Sequence, residues 1–338
     1  MSITNQRILG LDLLKILTLV AIAIFHANEF VFFSDEFPLG WSSPILKTFF
    51  YYARLFGIGG QVLVSIIYFL FGYTKKSRHQ LLKISFFSIL GQVLLGIAFK
   101  TIEWDIYSYI FSVNILIIIF PFFYSYNFYS LIFSLCVLLI SPNTFQSFFE
   151  PTSFLALLTG NFNQSSSGSW PLLPWAFLAI LFYQLGILAR ESNKFLFWQK
   201  NEIFFWIFAL VISLPGLGHY YNLPIGPNFY HFAFYQSSYI FFSNFIPFLF
   251  LGRISLLNGT QEFLANKNLP NFIYQTYWNQ HLGLTYLCSI LYLGIGINLK
   301  NLFFEHPFTF DLFFLGIMPI SEGIARLIVL SKKKVFNL

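Results

Sequence analysis

Charge is what this sequence lacks. Only 9% of its 338 residues are Asp, Glu, Lys or Arg, while 57% are hydrophobic and 48 are Phe. A soluble domain carries about 25% charged residues, so a soluble class is excluded and counting domains by length does not apply. Cysteine is scarce as well. Cys136 and Cys288 stand far apart in apolar runs, which reads as small core residues rather than a disulfide or a metal site. There is no Gly-Lys-Ser/Thr loop to cradle a phosphate, no Gly-x-Ser-x-Gly elbow and no metal-spaced pair of His or Cys, so no metal is expected. Nothing repeats at a fixed period, and no pair of broken helices recurs in matching halves, which speaks against the usual transporter architecture. The formal net charge of +6 does not imply nucleic acid, because the basic residues gather at the ends of apolar runs, where membrane topology explains them.

What is there is apolar chain in long runs. A bilayer admits helices or closed barrels, and runs without the alternation of a barrel strand select helices. The expected fold is all-α: one polytopic bundle over residues 1–338, with about ten transmembrane helices of roughly 20 residues each. Spans are expected near Ile8–Phe32, in a second segment ending at Lys75, Lys76 and Arg78, and near Leu82–Ile102. Two more lie within Tyr107–Ile140, divided near Tyr124–Asn127. The rest run from the WPLLPW stretch to Arg190, then near Glu202–Leu214, Phe229–Leu251, Phe272–Ile297 and Phe308–Leu330. The polar stretch Ser141–Ser169 is long enough to be a functional loop. With the N-terminus in the cytoplasm, the inner connections carry Lys75, Lys76, Arg78, Lys83, Arg190, Lys194, Lys200, Arg253, Lys267 and Lys332 to Lys334. The outer ones keep mainly Lys47, Lys100 and Lys300, so both termini are expected inside. Asp12 and Lys15 interrupt the start of the first run and no small-residue cleavage site follows it, so that run is expected to stay as a span.

The first span carries the ionisable residues that matter. It is almost unbroken apolar from Ile16 to Phe25, yet holds Asp12 and Lys15 near one end and His26 and Glu29 near the other. An ionisable group at the centre of a span costs roughly 2.5–3.5 kcal/mol, so such groups usually face a cavity or a partner. Lys15 and His26 are eleven positions apart. At about 100° and 1.5 Å per residue, both point the same way, about 16 Å apart along the axis. Asp12 and Lys15 stand at i,i+3 and can pair. One face thus offers a carboxylate, a cation and an imidazole strung across the bilayer, the wall of a polar tunnel.

Arg7, then Leu11-Asp12-Leu13-Leu14-Lys15, ten intervening residues and His26 make up a pattern that resembles the opening of the membrane-bound acyltransferase-3 family and its heparan-α-glucosaminide N-acetyltransferase-like relatives. Lys15 stands where that family has Arg; it keeps the charge and loses the bidentate fork. The glycine-rich FGIGGQVLVSIIYFLFGY (Phe56–Tyr73), the Pro-x-x-Pro-Trp stretch SWPLLPWAFLAILFYQLG (Ser169–Gly186) and YQTYWNQHLG (Tyr274–Gly283) are similar to later segments of the same group, in order.

The resemblance implies acyl transfer across a membrane. The donor would be a cytoplasmic acyl-CoA, with acetyl the expected group. The acceptor would be a hydroxyl or amine on an extracytoplasmic glycan or other cell-surface molecule. The expected site is a bacterial cytoplasmic membrane crossed many times. An imidazole, with an ordinary pKa near 6.5, suits a general base for the acceptor, and Lys15 can hold the donor electrostatically. Asp12 either neutralises Lys15 or Arg7 or acts directly. Glu29 either orients His26 or is a solvated loop residue. Arg54 is a candidate for an anionic donor or acceptor, and Trp175 and His281 for substrate contact. Glu322 and Arg326, at i,i+4 in the last span, either line the substrate path or lock helix packing. Two rival classes remain: a transporter or flippase whose first helix lines a solute path, and an assembly subunit with no activity.

Overall fold

The computed structural model describes residues 9–26, 60–99, 106–139, 172–173, 175–191, 276–298 and 307–336. Among them every regular element is α-helical and no strand occurs. In chain order the helices are α1 (Leu9–His26), α2 (Gly60–Tyr73), α3 (Arg78–Phe99), α4 (Ile106–Ile119), α5 (Pro121–Tyr124), α6 (Phe128–Leu139), α7 (Ala176–Glu191), α8 (Tyr277–Gln280), α9 (Leu282–Asn298) and α10 (Pro307–Phe336). The expected seventh and eighth spans, the Ser141–Ser169 loop and the SDEFPLGWSSP loop lie outside the described residues.

Two stretches, Arg78–Ile97 of α3 and Asp311–Ser331 of α10, are long and apolar enough to cross a membrane. Their exposed faces are apolar, and small or polar residues are among those they bury. On α3, Phe86, Phe87, Leu90, Val93 and Ile97 are exposed, while Ser85 and Ser88 are buried. On α10, Leu312, Leu315, Leu327 and Leu330 are exposed, while Ser321 and Ala325 are fully buried. Water disfavours such a surface by roughly 25 cal/mol per Å² of apolar area. Acyl chains impose no such cost, and small residues inside let helices approach closely.

The chain divides into two compact units, one over Val64–Phe250 and another formed by Arg7–Leu63 with Leu251–Leu338. The first contains α3 to α7 and α2 from Val64 onward. Its helices α2 and α7 cross at backbone contact. A Cβ on Gly72 would collide with the Tyr183 carbonyl oxygen, and a Cβ on Gly186 with that of Phe69, with the Tyr73 nitrogen 2.8 Å away. Glycine is therefore required on both sides of the crossing.

In the same unit, α4, α5 and α6 follow one another with breaks at Phe120 and Ser125. Pro121 has no N–H to continue α4, and the chain leaves helical geometry at Ser125 (φ −105°, ψ 156°). The freed backbone groups find a partner in α7. Gln184 Nε2 donates to the carbonyls of Phe123 and Ser125, the latter at 3.0 Å, and Gln184 Oε1 accepts the Asn127 N–H at 3.0 Å. Tyr183 OH donates to the Tyr124 carbonyl at 3.3 Å. Irregular backbone is tolerated away from water when protein satisfies it in this way.

Between α2 and α3 the turn is tight. The Lys75 N–H reaches the Gly72 carbonyl at 3.1 Å and the Lys76 N–H reaches that of Phe71 at 3.0 Å, the paired bonds of a Schellman cap. Lys75 holds the left-handed position, φ 50°, which usually takes glycine and costs an L-residue about 1–2 kcal/mol. Ser77 and Gln80 then form a capping box: Ser77 Oγ accepts the Gln80 N–H at 3.2 Å and Gln80 Oε1 accepts the Ser77 N–H at 2.9 Å.

The second unit packs α1 against α8, α9 and α10, and α9 against α10. Its α9–α10 seam is keyed by Tyr292, whose ring stacks on Phe313 with centroids 4.5 Å apart and whose OH donates to the Phe313 carbonyl at 3.0 Å. Gly296 lies against the Phe313 ring, leaving no room there for a Cβ.

Candidate functional site

Helix α1 buries one stripe: Leu11, Asp12, Lys15, Thr18, Leu19, Ile22 and Ala23. The spacing follows the helical period, so the two charges sit on the inward stripe. Asp12 lies in the first turn, where the positive helix end favours a carboxylate. Lys15 Nζ stands 3.3 Å from Asp12 Oδ1, and both side chains are 9% exposed. Each charge therefore meets its opposite within the helix, out of water. Losing one partner of such a pair leaves an uncompensated charge, which costs about 3–5 kcal/mol. His26 is the last residue of α1. Its position continues the register of Lys15, Leu19 and Ile22; its side chain lies outside the described residues, as do Arg7, Glu29 and Arg54.

A second group of polar residues forms where α8 meets α10. The sequence predicts an unbroken ninth span from Phe272 to Ile297. Instead the helix breaks at His281 (φ −128°, ψ 45°), separating the four-residue α8 from α9. Thr285 holds the break, its hydroxyl lying 3.1 Å from the Tyr277 carbonyl and 3.0 Å from that of His281. The orphan N–H of Tyr277 at the start of α8 donates to Glu322 Oε1 at 3.3 Å. The same oxygen takes Arg326 Nε at 3.0 Å and Nη2 at 2.6 Å. The Arg326 guanidinium lies 4.7 Å above the Tyr277 ring, close enough for cation–π attraction. The Tyr277 ring in turn lies 4.7 Å from the His281 ring. Trp278, buried, donates Nε1–H to the Met318 carbonyl at 3.2 Å and pins α8 to α10.

Thus His281, Glu322 and Arg326, three separate candidates in the sequence, come together around Tyr277, and Asp12 meets Lys15. Trp175 belongs to the first unit. It is buried, and its carbonyl accepts the Tyr109 hydroxyl at 2.6 Å. Tyr277 and Thr285 are the members that sequence reasoning missed. Tyr277 stands within the quoted YQTYWNQHLG stretch, but its joining role needs a contact 45 to 49 positions along the chain. Among the described residues no three His, Cys, Asp or Glu side chains are placed to hold a metal.

The two groups differ in what they can do. Asp12–Lys15 is a buried charge pair held within one helix. The Glu322–Arg326 group leaves the Arg326 side chain 46% exposed, a cation still reachable by a ligand. Comparison of the chain with protein-family models, with curated proteins and with solved structures yields no match.

Proposed function

We propose that the chain is a multi-pass membrane acyltransferase of about ten helices, with both termini in the cytoplasm, in a bacterial cytoplasmic membrane. It moves an acyl group, acetyl in the first instance, from cytoplasmic acyl-CoA to a hydroxyl or amine of an extracytoplasmic glycan. One observation carries the reading: a buried Asp12–Lys15 pair on the stripe of α1 that His26 continues, within the Leu-Asp-x-x-Lys…His pattern. A helix meant only for packing has no use for a charge pair that must be desolvated.

In this reading His26 takes the proton of the acceptor. The acceptor oxygen or nitrogen attacks the thioester carbonyl, the C–S bond breaks, and the CoA thiolate leaves and regains a proton. Lys15, held by Asp12, attracts the donor. A two-step route, in which His26 is first acylated and then gives the group to the acceptor, uses the same residues. Labelled acetyl-CoA supplied to vesicles tests it. His26→Ala should lower transfer by about 10²–10⁴-fold, the contribution of a general base, at unchanged protein level. Equal transfer by both proteins removes His26 from the chemistry. Solute flux without acylated product replaces the enzyme with a transporter.

A further inference from the structure

We propose that the turn between α2 and α3 seats the headgroups of anionic phospholipids. The described residues of the first unit contain five lysines and arginines, namely Lys75, Lys76, Arg78, Lys83 and Arg190. All stand at one end of that unit, because Arg190 Nη1 donates to the Gly72 carbonyl at 3.2 Å, at the base of the turn. Their only carboxylate among the described residues of the unit is Glu191, 3.1 Å from Arg190. Lys75, Lys76, Arg78 and Lys83 meet no carboxylate among the described residues.

Membrane topology favours cations at this end of the unit, yet local structure disfavours some of them, a cost that an external anion would offset. Lys75 occupies a left-handed position that suits glycine. Arg78 and His79 open α3, whose positive end disfavours cations. The arrangement is also held in place. The Arg78 guanidinium lies 4.8 Å above the Tyr124 ring, and Tyr124 belongs to the segment that Tyr183 and Gln184 fasten. Charge held in advance binds a headgroup with less loss of side-chain freedom.

Position selects lipid as the partner. Along α3 the exposed surface passes from Arg78 and Lys83 to Leu82, Phe86, Phe87 and Leu90 within about three turns. The cations therefore border the apolar face, at the level where headgroups meet acyl chains.

The test uses the full chain in phosphatidylcholine nanodiscs, probed with spin-labelled phosphatidylglycerol and spin-labelled phosphatidylcholine. Wild type should prefer the anionic probe, and 1 M salt should erase the preference. Each cation removed should lower it about fivefold. Lys75→Gly is the sharpest variant, because it relaxes the backbone: its melting temperature in pure phosphatidylcholine should rise while its preference for phosphatidylglycerol falls. A triple variant, Lys75→Gly with Lys76→Gln and Arg78→Gln, should lose the preference at unchanged helicity. Equal association of both probes with wild type overturns the proposal, as does an unchanged preference in the triple variant. Inorganic phosphate that abolishes the preference at a millimolar concentration too low to screen charge also overturns it, by showing a free-anion site.

Discussion

The two units handle polarity in opposite ways. The first buries neutral groups, Gln184, Asn114 and Tyr68, and keeps every described lysine and arginine at its rim. There Tyr68 OH donates to Asn114 Oδ1 at 3.0 Å, and Gln184 closes the break between α5 and α6. The second buries a formal ion pair, Asp12–Lys15, and assembles a half-exposed one, Glu322–Arg326, around the break at His281. Amides and hydroxyls secure backbone at moderate cost. Buried charges are a weak source of stability, because desolvation offsets their attraction. The first unit therefore has the chemistry of a scaffold, and the second spends stability on charge.

The largest predicted effect tests that contrast. Lys15→Met leaves Asp12 buried without its cation and should destabilise the protein by about 3–5 kcal/mol. Adding Asp12→Asn should restore most of the loss, because a neutral pair needs no compensation. If equilibrium unfolding in mixed micelles shows the double variant as unstable as the single, the pair is structural glue and the contrast fails. Next comes the scaffold. Gln184→Leu leaves the Phe123 and Ser125 carbonyls and the Asn127 N–H without partners and should cost about 2–3 kcal/mol. Its acyl transfer per folded molecule should stay at the wild-type level. A selective loss of transfer in that variant would place chemistry in the first unit. Gly186→Ala pushes a Cβ into the Phe69 carbonyl and should cost about 1–3 kcal/mol. The check is a lower melting temperature that Gly72→Ala does not add to in full, since both act on one crossing.

Some of this is legible in the sequence. Helical class follows from apolar runs without strand alternation. The division expected near Tyr124–Asn127 corresponds to the break between α5 and α6, because Pro121 and the short polar residues Ser125 and Asn127 mark it. Boundaries shift where capping takes over from hydropathy. The third span is expected from Leu82, but α3 starts at Arg78, since the Ser77–Gln80 capping box begins the helix before the apolar run. The Asp12–Lys15 pair is readable because i,i+3 geometry is local. What cannot be read is which distant segment satisfies a lone polar residue. Gln184 is conspicuous in an apolar run, yet its partners lie 57 to 61 positions away. The break at His281 is hidden for the same reason: Tyr277 keeps its helix start through Glu322, on another helix.

The smallest predicted effect compares the two ion pairs of the second unit. Glu322→Gln removes one charge, as Asp12→Asn does, but in different surroundings. The Arg326 side chain is 46% exposed and lies 4.7 Å above the Tyr277 ring, so the guanidinium is less desolvated than Lys15 and keeps a second contact when the carboxylate charge is lost. The amide oxygen of Gln can still accept the Tyr277 N–H, and the Tyr277 ring still faces the guanidinium. The cost should be below about 1 kcal/mol, against several for leaving Lys15 buried without its carboxylate. Unfolding of Asp12→Asn and Glu322→Gln side by side measures the gap directly. Equal losses would mean that the Glu322–Arg326 group is as dry as the one on α1, and that Arg326 is closed to a ligand. A small loss, with Arg326→Gln altering acceptor or donor affinity more than stability, would assign the exposed guanidinium to binding and the buried ammonium to a fixed field.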